Sequence, residues 1–211
     1  MLSIESKMRR WFDSASQDND LEEFGAIVRS LSDQLTPTWH PLGFIHVRLL
    51  SPSAGESFRL HLWPADYQHN QEQVDKIHDH LFNVTSKVLC GAVTNFRYTF
   101  SPDENGEWRE LRVRYGPQVS SLCETGVVGN LQETEAQTFS AQSTYHVPRF
   151  ALHQTASSSA QDTLTVVYTD SAVQYEPRAM FHRTHPAPSP RAPIPCDKSY
   201  WLNRLSKLIP L

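Results

Sequence analysis

Two short stretches carry imidazoles at spacings that can do chemistry. "IHDHLF" puts His78 and His80 two positions apart, and "VPRFALHQT" follows Pro148 with His153 after four residues. On an extended strand, residues i and i+2 project from one face, so His78 and His80 can address a single point. That is a chelating arrangement, which His153 from another strand would complete. Imidazole suits iron, copper, nickel and zinc, so the ligand type leaves the metal open. An H-x-H pair by itself equally fits solvated or hydrogen-bonded histidines.

The other histidines carry less. His146 lies seven residues before His153; it reads as a fourth ligand, a supporting group or a surface residue. His182 and His185 sit in a proline-rich exit where solvated histidines are the default, and His40 and His69 flank turn signals. More chemistry is written in the two early runs "FIHVRLL" and "FRLHLW". In the first, His46 and Arg48 share a face; in the second, Arg59, His61 and Trp63 do. Pointing inward, they would form a cationic, hydrogen-bonding wall suited to a carboxylate through bidentate arginine. Pointing outward, they would be solvated while Ile45, Val47, Leu49, Phe58, Leu60 and Leu62 fill the core. Cys90 falls in an apolar run and reads as a packing residue rather than a nucleophile.

The elements that must hold these groups are mostly strands. Leu21, Phe24, Ile27, Val28, Leu31 and Leu35 recur at helical spacing, and Asp20 with Glu23 resembles a capping box. "TPTWHP" then ends the helix. From residue 43 the period changes to two, and "SKVLCGAVTNFRYTF", "EWRELRVRY", "ETGVVGNLQ", "AQTFSAQSTYHV" and "DTLTVVYTD" follow as runs rich in β-branched and aromatic residues. "SPDENGEW" reads as a hairpin turn with Asn105-Gly106 supplying a positive-φ pair. Seven or more such strands predict a sandwich or small barrel. "HPAPSPRAPIP" is an extended connector, and "DKSYWLNRLSKLIPL" predicts a short terminal helix with Trp201, Leu202, Leu205, Leu208 and Ile209 on its apolar side. That helix either packs on the barrel or docks on another chain. The expected organisation is one domain: a helical arm over 1–39, a barrel over 40–176, and a connector and helix over 177–211.

Composition bounds the function. With 211 residues, 39% apolar and 20% charged, the chain has material for one core and too little charge for general disorder. A net charge of -4 with no basic block gives no electrostatic footprint for nucleic acid or an anionic membrane. Cys90, Cys123 and Cys196 are odd in number and irregular in spacing, and "MLSIESKMRRWFDS" lacks the apolar run of a signal peptide. A reducing cytoplasm is therefore the expected compartment, with no membrane span and a monomeric or homodimeric state.

With these residues in view, the chain resembles the cupin superfamily. "HDHLFNVTSKVLCG" matches the two histidines and the closing glycine of that family's first motif, with ten residues between His80 and Gly91, and "STYHVPRFALHQT" supplies the proline and histidine of the second. The resemblance covers residues 40 to 176 and implies a mainly β, double-stranded β-helix, or jelly-roll barrel, with a metal inside. The first glycine of each motif is absent, and the glutamate position falls on Val84, which cannot coordinate. The implied site is then three histidines without a carboxylate, similar to the cysteine dioxygenase type of thiol dioxygenase, which holds ferrous iron. Tyr168 stands near where those enzymes place a tyrosine at the substrate. The cysteine that joins that tyrosine in some members would lie near Thr85, and the serine and histidine preceding it are absent, so a specific cysteine-oxidising role does not follow. The expected function is a metal-dependent oxygenase, with Fe(II) or another divalent transition metal on His78, His80 and His153, acting on a small thiol- or amino-acid-like substrate and dioxygen. The alternatives are Lewis-acid chemistry at the same metal, as in an isomerase, lyase or hydrolase, or a binding module without catalysis.

Overall fold

The computed structural model describes residues 2–14, 21–53, 55–66, 76–116, 119–157, 160–186 and 192–211. Three helices occur among them: α1 (Ile4–Asp13), α2 (Leu21–Leu31), which runs on into a 3-10 turn at Ser32–Gln34, and α3 (Lys198–Leu205). The strands are β1 (Thr38–Trp39), β2 (Ile45–Leu50), β3 (Ser57–Trp63), β4 (Ile77–His78), β5 (Val84–Cys90), β6 (Ala92–Pro102), β7 (Trp108–Tyr115), β8 (Ser120–Ser140), β9 (Thr144–Val147), β10 (Leu152–Ser157), β11 (Thr163–Thr169), β12 (Arg178–His182) and β13 (Ile194–Pro195). They form two antiparallel sheets. One has the order β13-β1-β2-β3-β11-β5-β9, and the other closes as β10-β4-β12-β7-β8-β6. This is a mainly β architecture of two antiparallel sheets, one of them closed, with helices near both ends of the chain.

The alternation in β2 and β3 decides where the core sits. Ile45, Val47, Leu49, Phe58, Leu60 and Leu62 project from one face of the first sheet, away from the second, onto the helices. There they meet Met8, Trp11 and Phe12 of α1, Phe24, Ile27 and Val28 of α2, and Trp201, Leu205 and Ile209 at the C-terminus. The largest apolar cluster is thus outside the barrel, between sheet and helices. The terminal helix packs on the barrel rather than standing free. Asp197 caps it by accepting from the Tyr200 backbone N–H, and Arg204 of its last turn pairs with Asp66 and Asp162. The α1 helix, a second member of the helical arm, starts at Ser3, whose hydroxyl accepts from the Ser6 N–H. Asp20, the other half of the expected capping box, lies outside the described residues, as does His69.

Several expectations need correction. Gly91 breaks "SKVLCGAVTNFRYTF" into β5 and β6: its φ is +72°, and a Cβ there would lie 2.2 Å from the Thr163 hydroxyl. "ETGVVGNLQ" and much of "AQTFSAQSTYHV" instead belong to one strand, β8, whose first half pairs with β7 and second half with β6. The register shift opposite Arg109 to Leu111 takes up the residues around Gly126 (φ +80°), so that glycine marks a bulge rather than a strand end. The turn at Asp103–Gly106 exists, but neither Asn105 nor Gly106 has positive φ, and the strands it joins pair with β8 rather than with each other. Finally, the sheets reach past residues 40–176, since β1 pairs with β2 and β13, while β12 lies between β4 and β7.

Candidate metal centre

His78 and His153 are direct cross-strand partners on β4 and β10. His80 follows just after β4 ends, so the H-x-H pair is only half in a strand, yet its ring turns to the same point. The three ring centroids are 4.7, 4.8 and 5.0 Å apart, and one nitrogen from each lies within 4.8 Å of the other two. Hydrogen bonds fix which nitrogen that is. Nδ1 of His78 lies 3.0 Å from the Lys76 carbonyl, and Nδ1 of His153 lies 3.0 Å from Oδ1 of the buried Asn95. Each of these Nδ1 atoms therefore carries the proton and donates it, leaving Nε2 as a lone pair. Thr155 donates to the same Asn95 oxygen and holds that amide in place.

The Nε2 atoms of His80 and His153 are 3.0 Å apart. With metal–nitrogen bonds of about 2.1 Å, two ligands at a right angle are separated by about that distance, so this pair matches two ligands of one divalent transition metal, and His78 lies close enough to be the third. Burial, followed by the neighbouring histidines, holds His80 well below the ordinary imidazole range; burial, then His78 and Arg97, does the same for His153. Both rings are neutral at neutral pH, the state a ligand needs. No carboxylate joins the three histidines among the described residues.

Asp79, between the two ligands, is 1% exposed. Its two oxygens accept from the Arg178 backbone N–H and from Arg178 Nε, both at 2.7 Å. Arg178 Nη2 in turn donates to the Phe150 carbonyl, and the Phe150 N–H donates to the His80 carbonyl. One buried ion pair thus ties the His78–His80 segment to the turn leading into His153. Phe150 holds φ +66° in that turn.

The three imidazoles open on a cavity of about 450 Å³, continuous through shared residues with another of about 300 Å³ toward the β7–β8 end. Across it stand His46, Arg48, Arg59 and His61, so the polar face of the early strands points inward, while Ile45, Val47 and their neighbours form the core on the opposite face. His46, Arg59 and His61 are part-buried while Arg48 is exposed, so the solvated reading of the polar face fails for the first three, because the helices cover the apolar side of this sheet. Burial and the nearby Arg48 bring the Arg59 guanidinium down to about 10, and burial with Arg59 and Arg48 brings His46 down to about 4. His61 is pushed well below its ordinary range by burial and then by His46.

Tyr168 does not reach this cavity. Its neighbours Val167 and Thr169 line it, whereas Tyr168 projects to the helix side, packs on Phe12 and Phe58, and donates to Glu56. The expected role at the substrate is corrected by strand alternation alone. His146 is exposed, with Nδ1 3.0 Å from the Thr85 hydroxyl, and takes no part in the histidine cluster. His182 packs on His185 and on Trp108 and takes no part in the histidine cluster. Cys90 packs beside the outer core, where burial raises its thiol. His40, whose place beside a turn signal carries no functional expectation, stacks on Phe44 with centroids 4.3 Å apart and lines both cavities. The aromatic four residues beyond it, across a turn closed by Gly43 at φ +86°, was the available signal.

No protein-family model matches the chain, and no curated protein sequence matches it. Solved structures with a similar course of the chain include the DMSP lyase DddQ from Ruegeria pomeroyi, at 11% identity and a TM-score of 0.36 over 64% of this chain and 50% of that one. A variant of oxalate decarboxylase from Bacillus subtilis gives 9% identity and a TM-score of 0.39, covering 66% of this chain and 28% of that one. The polyketide cyclase RemF from Streptomyces resistomycificus gives 9% and 0.37, covering 68% and 73%. The chain thus spans half or less of the first two proteins. Likenesses at this level assign neither a reaction nor a ligand, and the architecture of this chain rests on its own strand pairing.

Proposed function

We propose that this protein is a metal-dependent enzyme acting on a small molecule, with His78, His80 and His153 holding a divalent transition metal, ferrous iron first, and that it couples substrate oxidation to dioxygen. The observation that carries the reading is the convergence of three imidazoles on one point in the wall of a cavity whose facing wall is cationic. When bound, the metal supplies open coordination positions for a chelating substrate and for oxygen. The chain's own residues do the rest. His78 and His153 are held in the ligating tautomer by Lys76 and Asn95, Arg48 and Arg59 draw in and orient negative charge, and Phe82, Tyr145 and Val147 keep the cavity wall apolar.

Elemental analysis of protein purified without added metal tests the centre. Metal should fall sharply in His78→Ala, His80→Ala and His153→Ala and remain in His182→Ala; equal loading in all four rejects the assignment. An oxygen electrode then tests the reaction, with the ferrous protein offered thiol, amino-acid and keto-acid panels.

A second reading has a specific observation in its favour. His46 and His61, held neutral by burial, face the metal wall across the cavity and offer neutral donors and lone pairs that can orient a substrate carbonyl or hydroxyl, which a metal-assisted elimination or isomerisation uses without dioxygen. Identical product yields with and without oxygen would replace the oxygenase reading by this one.

A further inference from the structure

The wall opposite the histidine centre is organised as two rungs of the β2–β3 ladder. His46 pairs directly with His61, and Arg48 pairs directly with Arg59. Like charges directly opposite each other on a ladder destabilise it, and here both arginines face the same cavity. Neither forms an ion pair with a described residue. Arg59 donates through Nε to the Ser57 hydroxyl at 2.8 Å and lies 5.0 Å over the Phe82 ring, contacts that do not neutralise it. Asp79 is the one acidic residue lining either cavity among the described residues, and its carboxylate is already engaged by Arg178. The rings of His46 and His61 make no hydrogen bond to another described residue, so their N–H groups add neutral donors beside the two guanidiniums.

Arg59 is part-buried with no counter-ion among the described residues, which is costly, and with the more exposed Arg48 directly opposite it on the ladder the pair fits an anion that arrives from outside. A centre of three imidazoles with no carboxylate would keep the full charge of its metal and itself favour an anionic, chelating group. The two walls are close: Phe82 lies under the Arg59 guanidinium and stacks on His80, with spans of 5.0 and 5.1 Å. We infer that the ligand has two ends, a chelating acid group for the metal and a second oxyanion, carboxylate or phosphate, held by Arg48, Arg59 and the N–H groups of His46 and His61. The substrate class is a small diacid or phosphorylated acid. This deepens the metal-centre reading and rests on it for the first end only; the second end depends on the arginine rungs alone.

The test is calorimetric titration of the zinc-loaded protein with succinate, butyrate and phosphonopropionate, on wild type, Arg59→Gln and Arg48→Gln. Succinate should bind at least about tenfold tighter than butyrate, as one charged hydrogen-bonded contact warrants. Arg59→Gln should remove that preference while leaving butyrate affinity and zinc content unchanged. Tighter binding of phosphonopropionate than of succinate identifies the second group as phosphate; the reverse order identifies carboxylate. Equal affinities for succinate and butyrate, or an Arg59→Gln effect of the same size on both, overturn the inference. Arg48 is exposed, so Arg48→Gln decides the point if Arg59→Gln does not fold. Elemental analysis of the same samples keeps the two readings apart. If no zinc is retained, the metal-centre reading fails by itself, and the titrations on metal-free protein still decide the rungs: an absence of Arg59-dependent succinate binding overturns them.

Discussion

At the scale of single residues, the centre is defined as much by what Val84 is not as by the histidines. Val84 is 8% exposed and lines the same cavity as the three imidazoles. Its side chain packs with Val147, Val167 and Phe82, none of which can satisfy a charge. Val84→Glu would place a carboxylate in that apolar surround, at a cost of several kcal/mol unless a cation neutralises it. The expected outcome is a protein that still binds metal but whose stability has become metal-dependent, with the acid substrate displaced and turnover reduced. Thermal unfolding with metal and with chelator checks this: the gap between the two melting temperatures should widen relative to wild type. An unchanged gap would show that the position does not reach the metal.

At the scale of elements, the three ligands come from two segments that share few hydrogen bonds of their own. The β4 strand has two residues and β10 meets it at a single register position, so ladder bonds alone would hold the centre loosely. The Asp79–Arg178 pair supplies the missing constraint, reaching β12 on one side and Phe150 on the other. Asp79→Asn removes the charge that a partly buried guanidinium answers, which costs on the order of 3–5 kcal/mol in buried pairs. Metal affinity should fall about 10–100-fold, as it does when a group orienting a ligand is lost. Glu176→Gln is the control: its pair with Arg114 is exposed on both sides, and the change should leave metal affinity as it was. Competition for zinc with a chromophoric chelator measures both. Equal affinity in Asp79→Asn and wild type would reduce Asp79 to a packing role.

At the scale of the whole molecule, the cavity wall carries part-buried histidines and arginines while the largest apolar cluster is external, which makes stability depend on pH. His46 is held at about 4 by burial and by Arg59 and Arg48, against about 6.5 in the unfolded chain. As the pH falls below 6.5, the unfolded state takes up a proton that the native state refuses. The contribution is fully present above 6.5 and is lost on the way down through 4; for His46 it is on the order of 3 kcal/mol. His61 acts in the same direction. Chemical unfolding of metal-free protein from about pH 7 to pH 4 should show stability falling steadily, and His46→Gln should flatten part of that slope; a flat wild-type profile rejects the account. The helical stripe of α2, the β-rich middle, the C-terminal helix and the candidate ligands His78, His80 and His153 were legible in the sequence, because period and residue type act locally. The alternation of "FIHVRLL" and "FRLHLW" was legible too, but not which face is inside. That depends on the helices packing outside the first sheet, which turns His46, Arg48, Arg59 and His61 into cavity wall and sends Tyr168 away from it. Sequence spacing determined that two imidazoles could share a point; only the tertiary structure decided what faces them, because a strand's two sides are equivalent until something covers one of them.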